Sequence, residues 1–341
     1  MPRVSIVIPA YSAAATLDET LASARAQTFA DIEILVVSDG STDATLALAQ
    51  AAQERDSRIR VLSQSNAGVA AARNAGIAAS DSEFVAPLDA DDLWHPEKLR
   101  LQVGRFAEAG ARTGLVYNWY RPMDASSRIF GQLAAPTYQG AVLHRHLIWN
   151  FVGNGSTPLI RREALHGLGY EPELAARGAG GCEDYLLQLQ IARSWDFACV
   201  PAYLTGYRQG EGRMSGNTLA MLRSHQETYN RIRETVDQSA RALCDLGWTR
   251  ARVREASFLA GRGLAGPAAA SLAGAFLNSP AAAVAASGKQ ARAVVRARRR
   301  KRATLGKALS FLAADPFEPP PNRATDAEMQ RAARLDLLHR R

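Results

Sequence analysis

Cysteines, nucleotide-binding glycine motifs and long apolar runs are scarce in this sequence of 341 residues. Three cysteines, Cys182, Cys199 and Cys244, are too few and too far apart for a disulfide framework or a zinc site, so a reducing compartment is expected. No GxGxxG follows the first apolar run and GxxxxGK[ST] does not occur, which disfavours a Rossmann dinucleotide site and a P-loop. The apolar run at 4–8 is too short for a signal peptide, so secretion is not indicated.

The longest segment without a charged residue runs from Gly263 to Gly288. It is long enough to cross a bilayer, but it is rich in alanine and contains Pro267, Asn278 and Pro280. Because proline interrupts a helix, we predict two packed helices that meet at Pro280 rather than a membrane span.

Basic residues are concentrated in the last third of the chain. Residues 1–220 contain 19 Lys and Arg against 23 Asp and Glu, whereas residues 221–341 contain 22 against 10. The segment 289–302 has no acid and carries eight basic residues, Lys289, Arg292, Arg296, Arg298, Arg299, Arg300, Lys301 and Arg302. Its apolar stripe favours a helix that lies on an anionic membrane surface, with a solvated helix face as the alternative. Nucleic-acid binding is disfavoured because no aromatic residues are interleaved there.

Short β-branched runs alternate with helical patterns at the start of the chain. The predicted strands are 4–8, 32–37, 59–62 and 84–88, and the predicted helices are 13–26, 44–55 and 69–79. This alternation predicts an α/β fold with a mostly parallel sheet and helices on both faces. Ligands bind at the carboxyl ends of strands in such sheets, so the polar residues after each strand are site candidates.

The remainder of the chain is irregular to about residue 207 and then helical. A strand is predicted at 115–118 and a helix at 183–192, while a proline-rich linker at 315–321 precedes a helix at 326–338. We expect an α/β domain at 1–218, a helical extension at 219–314 that includes the basic helix, and a linker with a terminal helix at 315–341.

Three acids, Asp89, Asp91 and Asp92, follow the fourth predicted strand. Carboxylates this close repel each other, which raises the pKa of each one unless a cation is present. Oxygen ligands favour Mg²⁺ or Mn²⁺ over zinc, and phosphate oxygens and water usually complete such a site. An acidic turn that caps the next helix is the alternative.

Four motifs, in this order, resemble those of the family 2 glycosyltransferases. They are VSIVIPAY at 4–11, DGSTD at 39–43, NAG at 66–68 with RNAG at 73–76, and LDADD at 88–92. The resemblance covers about residues 3–215 and implies the GT-A fold and an inverting, metal-dependent sugar transfer. It implies a nucleotide-diphosphate sugar as donor, with a UDP-sugar expected, and a carbohydrate or glycolipid acceptor. Residues 1–112 would then bind the donor and 113–218 the acceptor, at a cytoplasmic location with optional attachment to the inner membrane face.

The resemblance also implies roles for individual residues. Pro9 and Tyr11 would line the base pocket, and Asp39 would form a hydrogen bond with the base. The remainder of the nucleotide would be bound by Asn66, Arg73 and Asp89. Asp91, with Asp89, would hold the metal. Arg208, Arg213 and Ser215 resemble a loop that closes over the diphosphate. The sequence departs from the family at Ser38, where a first acid is common.

Glu183 and Asp184 follow a glycine-rich segment and resemble the ED motif of the same family. Inversion requires a base that takes the proton of the acceptor hydroxyl, and Asp184 is the expected base. The alternative is that these two acids only stabilise the start of a helix through its dipole. Residues expected to contact the sugar or the acceptor are Trp94, Asn154, Ser156 and Glu183, although Trp94 would equally suit the core.

Two other functional classes remain open at this point. A nucleotidyltransferase of similar topology is one, but residues 12–16 lack the glycine and basic residues that its loop after the first strand needs. A non-catalytic module that binds sugar nucleotides or a membrane is the other. Release of nucleoside diphosphate from a donor distinguishes the transferase from the module, and release of pyrophosphate indicates the nucleotidyltransferase.

Overall fold

A computed structural model of the chain describes residues 2–131, 134–210, 216–300, 310–317 and 327–338, without the side chains of 292–300. Its strands are β1 (Val4–Ala10), β2 (Ile32–Asp39), β3 (Ile59–Gln64), β4 (Phe84–Pro87), β5 (Leu93–Trp94), β6 (Thr113–Met123), β7 (Leu159–Arg161) and β8 (Asp196–Arg208). They form one sheet in the order β3-β2-β1-β4-β7-β6-β8-β5.

Helices cover both faces of this sheet and form the last part of the chain. They are α1 (Leu17–Arg25), α2 (Thr45–Arg55), α3 (Val69–Ala78), α4 (Lys98–Ala109), α5 (Leu143–Ile148), α6 (Glu173–Ala176), α7 (Glu183–Ala192), α8 (Thr218–Arg233), α9 (Gln238–Gly261), α10 (Ala265–Asn278), α11 (Pro280–Arg300) and α12 (Ala327–Leu338).

The first four strands in the sheet order, β3, β2, β1 and β4, are parallel. All seven residues of β1 are buried, as expected of a central parallel strand with a near-continuous apolar sequence. β7 runs antiparallel to β4 and β6, and β5 runs antiparallel to β8. The α/β fold with a mostly parallel sheet is therefore confirmed.

Alternate residues of β1 enter two different apolar clusters because side chains along a strand point to opposite faces. Ile6 and Ile8 pack in a cluster that includes residues of α1 and α4. Val7 belongs to the other cluster, which also contains Tyr185 of α7, Tyr229 of α8 and Cys244 of α9. Helices α8 and α9 thus share the hydrophobic core of the sheet's second face.

The uncharged segment near the end of the chain forms α10 and α11, which meet at Pro280 as predicted. In the ranges that the structure describes, none of the helices combines the length and apolarity needed to cross a membrane.

Helix α12 packs against α5, almost two hundred residues earlier in the chain. Asp336 of α12 is buried and its carboxylate accepts hydrogen bonds from His144 N at 2.7 Å and Arg145 Nε at 2.6 Å. The buried ion pair fixes where the terminal helix lies.

Candidate active site

A cleft of about 360 Å³ lies where the segment after β4 meets the beginning of α7. Three carboxylates, those of Asp89, Glu183 and Asp184, line it together with the Arg73 guanidinium. Residues of α8 and α9 complete the lining. Residues far apart in the sequence therefore meet in one concave, charged site.

Arg73 of α3 is the buried cation of this cleft, with 3% of its side chain exposed. Its Nη2 donates to Asp89 Oδ1 at 2.5 Å and its Nη1 donates to Glu183 Oε1 at 3.2 Å. Burial alone would lower the pKa of Arg73, but the charges of the neighbouring acids, Asp89 foremost, outweigh burial and raise it. Arg73 thus stays charged and ties the RNAG, LDADD and ED motifs together.

The three acids after β4 have different surroundings. Asp89 is about one-quarter exposed, Asp91 is half-buried, and Asp92 is fully buried. Ser156 Oγ donates to Asp92 Oδ2 at 2.6 Å, and the backbone N–H of Arg208 donates to Asp92 Oδ1 at 2.8 Å. Burial, with the nearby charge of Asp89, raises the pKa of Asp92 to about 8. Asp92 is a structural anchor that the sequence motif alone does not distinguish from its neighbours.

Asp89 and Asp91 are the acids that the sequence predicts as metal ligands, and Asp89 is paired with Arg73. Across the described part of the chain, no group of three or more His, Cys, Asp or Glu side chains is arranged to hold one. Two carboxylates are few ligands for Mg²⁺ or Mn²⁺, so such an ion would need further oxygen ligands, such as those of a substrate diphosphate.

Asp184 is the second residue of α7 and is half-buried in the cleft. The backbone N–H of Tyr185 donates to its Oδ1 at 2.8 Å. Burial and the charge of Glu183 raise its pKa to about 7, against the opposing effect of Arg73. A carboxyl group of this pKa both accepts and releases a proton near neutral pH.

Glu183 differs from Asp184 because both of its carboxylate oxygens have partners. Oε1 accepts from Arg73, and Oε2 accepts from the backbone N–H of Gly181 at 2.7 Å. The geometry suits a role in fixing Arg73 and the start of α7.

The turn at residues 153–157 brings one predicted acceptor residue to the cleft and buries another. Asn154 lines the cleft, and its Nδ2 is buried without a hydrogen-bond partner among the described residues. Ser156 is fully buried between Asp92 and the backbone N–H of Asp89, so its predicted contact with sugar or acceptor is wrong.

Trp94 and Arg208 are both enclosed by protein. The Trp94 ring is fully buried, its Nε1 donates to the Ser156 carbonyl at 2.8 Å, and the Lys98 ammonium lies 3.9 Å from its centroid. It is a core residue, and the prediction that it stacks on a sugar is wrong. Arg208 ends β8 and donates to the carbonyls of Asp91 and Asp124, so it does not belong to a loop that closes over a ligand. Arg213 and Ser215 lie outside the described residues.

The residues assigned to the base lie outside the lining of this cleft, at the ends of β1, β2 and β3. Pro9 is buried, whereas Tyr11 and Asn66 are exposed. Asp39 is buried, and its carboxylate accepts hydrogen bonds from the backbone N–H groups of Ala67 and Gly68 at 2.9 and 2.8 Å. The Asp39 carboxylate therefore orders the loop that carries Asn66.

Gly40 lies beside this loop and meets two requirements that only glycine satisfies. Its φ is +68°, and an added Cβ would lie 2.6 Å from Asn66 N. The turn of the DGSTD motif can thus pass close to the NAG motif.

The sheet, with the acidic cleft at its carboxyl edge, has the GT-A fold. Residues 5–169 match the model of the family described as glycosyl transferase family 2. This match spans slightly less than half of the chain.

Among its relatives, the Escherichia coli UDP-Glc:alpha-D-GlcNAc-diphosphoundecaprenol beta-1,3-glucosyltransferase WfgD is 28% identical over 223 residues. That match spans 64% of this chain and 82% of WfgD. The chain covers only 11% of the chondroitin synthase and hyaluronan synthase of Pasteurella multocida, to which it is 36% identical over 106 residues.

Two solved structures share the fold at low sequence identity. S. aureus TarS 1-349 in complex with UDP-GlcNAc has a TM-score of 0.60 and 16% identity, covering 94% of this chain and all of that chain. The mannosyltransferase PcManGT from Pyrobaculum calidifontis, in complex with GDP-Man and Mn²⁺, has a TM-score of 0.57 and 20% identity. That match covers 98% of this chain and 87% of the PcManGT chain.

Proposed function

We propose that this protein transfers a sugar, with inversion, from a nucleotide-diphosphate donor to an acceptor hydroxyl, with Asp184 as the general base. The observation that carries this proposal is the Arg73 bridge. Arg73 bonds both Asp89 and Glu183, which line one cleft together with the half-buried Asp184.

In the proposed reaction, the acceptor oxygen attacks the anomeric carbon while its proton passes to Asp184. The new carbon–oxygen bond forms as the bond to the diphosphate oxygen breaks on the opposite face, and the nucleoside diphosphate leaves with the electron pair. Glu183 and Arg73 hold the start of α7, which keeps the Asp184 carboxylate in place. A positioned base of this kind contributes about 10²–10⁴-fold to rate.

Asp91 and Asp89 are the proposed ligands of Mg²⁺ or Mn²⁺. When bound, the ion would offset the charge that develops on the leaving diphosphate. Pro9, Tyr11, Asp39 and Asn66, at the ends of β1 to β3, are proposed to receive the nucleoside, with Arg213 closing the diphosphate side. A UDP-sugar is the favoured donor, in keeping with the UDP-linked substrates named for WfgD and TarS.

For the acceptor, we propose a carbohydrate or glycolipid, because the name of WfgD specifies a lipid-linked sugar. Residues 1–112 would bind the donor and 113–218 the acceptor. The protein would act in the cytoplasm, with attachment to the inner membrane face through residues 289–302.

The test of the donor site uses thermal unfolding with UDP. We expect UDP to raise the melting temperature with Mg²⁺ or Mn²⁺ but not with a chelator, because diphosphate and carboxylates share the ion. Asp91→Asn should abolish the metal-dependent shift, whereas Asp81→Asn, an exposed acid outside the cleft, should keep it. Equal shifts with metal and with chelator would contradict the metal assignment.

A donor panel distinguishes the other functional classes. We expect nucleoside diphosphate release from a UDP-sugar, slowly with water and faster with an acceptor. Pyrophosphate release from nucleoside triphosphates would instead indicate a nucleotidyltransferase, and binding without turnover would indicate a non-catalytic module.

A further inference from the structure

Helix α9 forms part of the catalytic cleft although it lies outside the residues that match the family model. The residues it contributes are Gly247, Arg250, Ala251 and Arg254, at helical spacings of three and four, so a single face of α9 looks into the cleft. Two of these four residues are arginines. The α9 wall of the cleft therefore carries two basic side chains, those of Arg250 and Arg254.

Arg254 is exposed on this wall, and its guanidinium has no carboxylate within ion-pair distance among the described residues. Neighbouring arginines of α9 differ in this respect. Arg250 is paired with Glu328 of α12 at 2.5 Å, and Arg252 is paired with Glu255 at 3.3 Å. The charge of Arg254 is thus available to a ligand, whereas the neighbouring charges are balanced within the protein.

His225 of α8 lies on the same wall and is half-buried. Burial, together with the nearby charge of Arg254, lowers its pKa to about 4. The imidazole is therefore neutral at pH 7 and can donate one hydrogen bond without adding charge. Arg254 is then the charged group of this wall that has no internal partner in the described structure.

The lining of the cleft contains both acidic and basic side chains. Three carboxylates and one guanidinium lie on the catalytic side, so an anionic acceptor would be repelled there unless a cation held its charged end elsewhere. A cleft of about 360 Å³ is large enough for a sugar with one charged substituent.

We propose that Arg254, assisted by His225, binds an anionic group, phosphate or carboxylate, on the acceptor sugar and so turns its hydroxyl toward Asp184. This inference rests on the proposed function, because it assigns the acceptor class of the same site. Guanidinium groups bind both phosphate and carboxylate in bidentate fashion, so the shared chemistry is the anion.

The experiment compares three small sugars in the presence of Mn²⁺ and saturating UDP, which blocks the diphosphate site. The probes are glucose 1-phosphate, methyl glucuronide and methyl glucoside, and their dissociation constants are measured by saturation-transfer NMR titration. We expect at least one of the two anionic sugars to bind about 5- to 20-fold more tightly than the neutral glucoside. Whichever anionic sugar gains affinity identifies phosphate, carboxylate or both as the group recognised.

Two charge variants, one on α9 and one directly after it, make the test specific. Arg254→Gln should remove the preference for anionic sugars, while Arg262→Gln, an exposed change outside the cleft, should retain it. The absence of a preference in the unmodified protein, or its persistence in Arg254→Gln, would overturn the inference.

Donor chemistry gives a separate readout. UDP binding and hydrolysis of a UDP-sugar without acceptor are measured in the unmodified protein, and both should be unchanged in the Arg262→Gln control. If neither occurs in the unmodified protein, the proposed function fails, whereas normal donor hydrolysis without an anion preference contradicts only the acceptor inference.

Discussion

The ionisation of Asp184 depends on what is packed around its carboxylate. Burial and Glu183 favour the protonated form, while Arg73 favours the carboxylate, and the balance places its pKa at about 7. Because a base must be unprotonated, kcat/KM should rise about tenfold per pH unit below pH 7 and level off above it. A rate profile between pH 5.5 and 8.5 checks this, and a flat profile would contradict it.

Substitution of Asp184 separates catalysis from donor binding. Asp184→Asn keeps the shape of the side chain but cannot accept the proton, so transfer should fall by about 10²–10⁴-fold. The UDP-dependent rise in melting temperature should remain within error of the unmodified protein, because Asp184 is not assigned to the nucleotide. Full transfer activity in this variant would falsify the base assignment.

Asp92, Ser156 and Trp94 show where sequence reasoning about single residues is limited. The order of the motifs identifies Asp89, Arg73 and Asp184 as candidate site residues, and in the structure all three line one cleft. The burial of Trp94 depends on β5 pairing with β8, a contact between residues over one hundred positions apart. Ser156 is buried by the same part of the fold, through Asp92 and Arg208. Local sequence carries no signal for these contacts.

Helix α3 packs very closely on the sheet at Gly76. A Cβ at this position would lie 2.4 Å from Val7 Cγ1 and 3.2 Å from Val37 Cγ2, so an alanine forces the helix away from β1 and β2. We expect Gly76→Ala to lower the free energy of unfolding by about 1–3 kcal/mol, and to weaken UDP binding because α3 also carries Arg73. Urea denaturation and thermal shift measure the two effects.

Gly104 of α4 provides the matched control for this substitution. It is exposed, and an added Cβ meets no atom within 4 Å. Gly104→Ala should therefore stabilise the protein by about 0.5–1 kcal/mol through helix propensity alone. Equal effects of the two substitutions would contradict the close packing of α3.

Elements were predictable where a local pattern is strong. Strands β1 to β4 and helix α7 begin where the sequence predicts them, because β-branched runs and turn residues delimit them. The strand predicted at 115–118 is much longer, Thr113–Met123, because β8 pairs along its whole length. The sequence pattern did not predict strands β5, β7 and β8 or helix α4. Short strands such as β5 and β7 depend on neighbours that only the folded chain supplies.

The surface of the last helices combines exposed apolar residues with the basic segment. Leu277 and Val284 are 88% and 62% exposed near the start of α11, which continues into residues 289–300. We expect binding to vesicles that contain phosphatidylglycerol and little binding to phosphatidylcholine alone, because basic residues are attracted to anionic headgroups. Sedimentation with vesicles measures both.

Removal of charge tests the same surface. Triple substitution of Lys289, Arg292 and Arg296 by glutamine should weaken vesicle binding by roughly 100-fold at about 1 kcal/mol per charge. The same change at Arg55, Arg60 and Arg100, exposed cations of the α/β part, should have little effect. Salt-independent binding, or equal losses in both variants, would argue against membrane attachment through this segment.

Because Tyr229 and Cys244 pack in the same apolar cluster as Val7 and Tyr185, the helical extension is not an interchangeable module. A chimaera that replaced α8 and α9 with helices from a relative would leave the second face of the sheet uncovered and prone to aggregation. Acceptor selectivity would therefore have to change by substitution at the few α9 positions that face solvent inside the cleft. The neighbouring α9 residues that face the core could not change as freely.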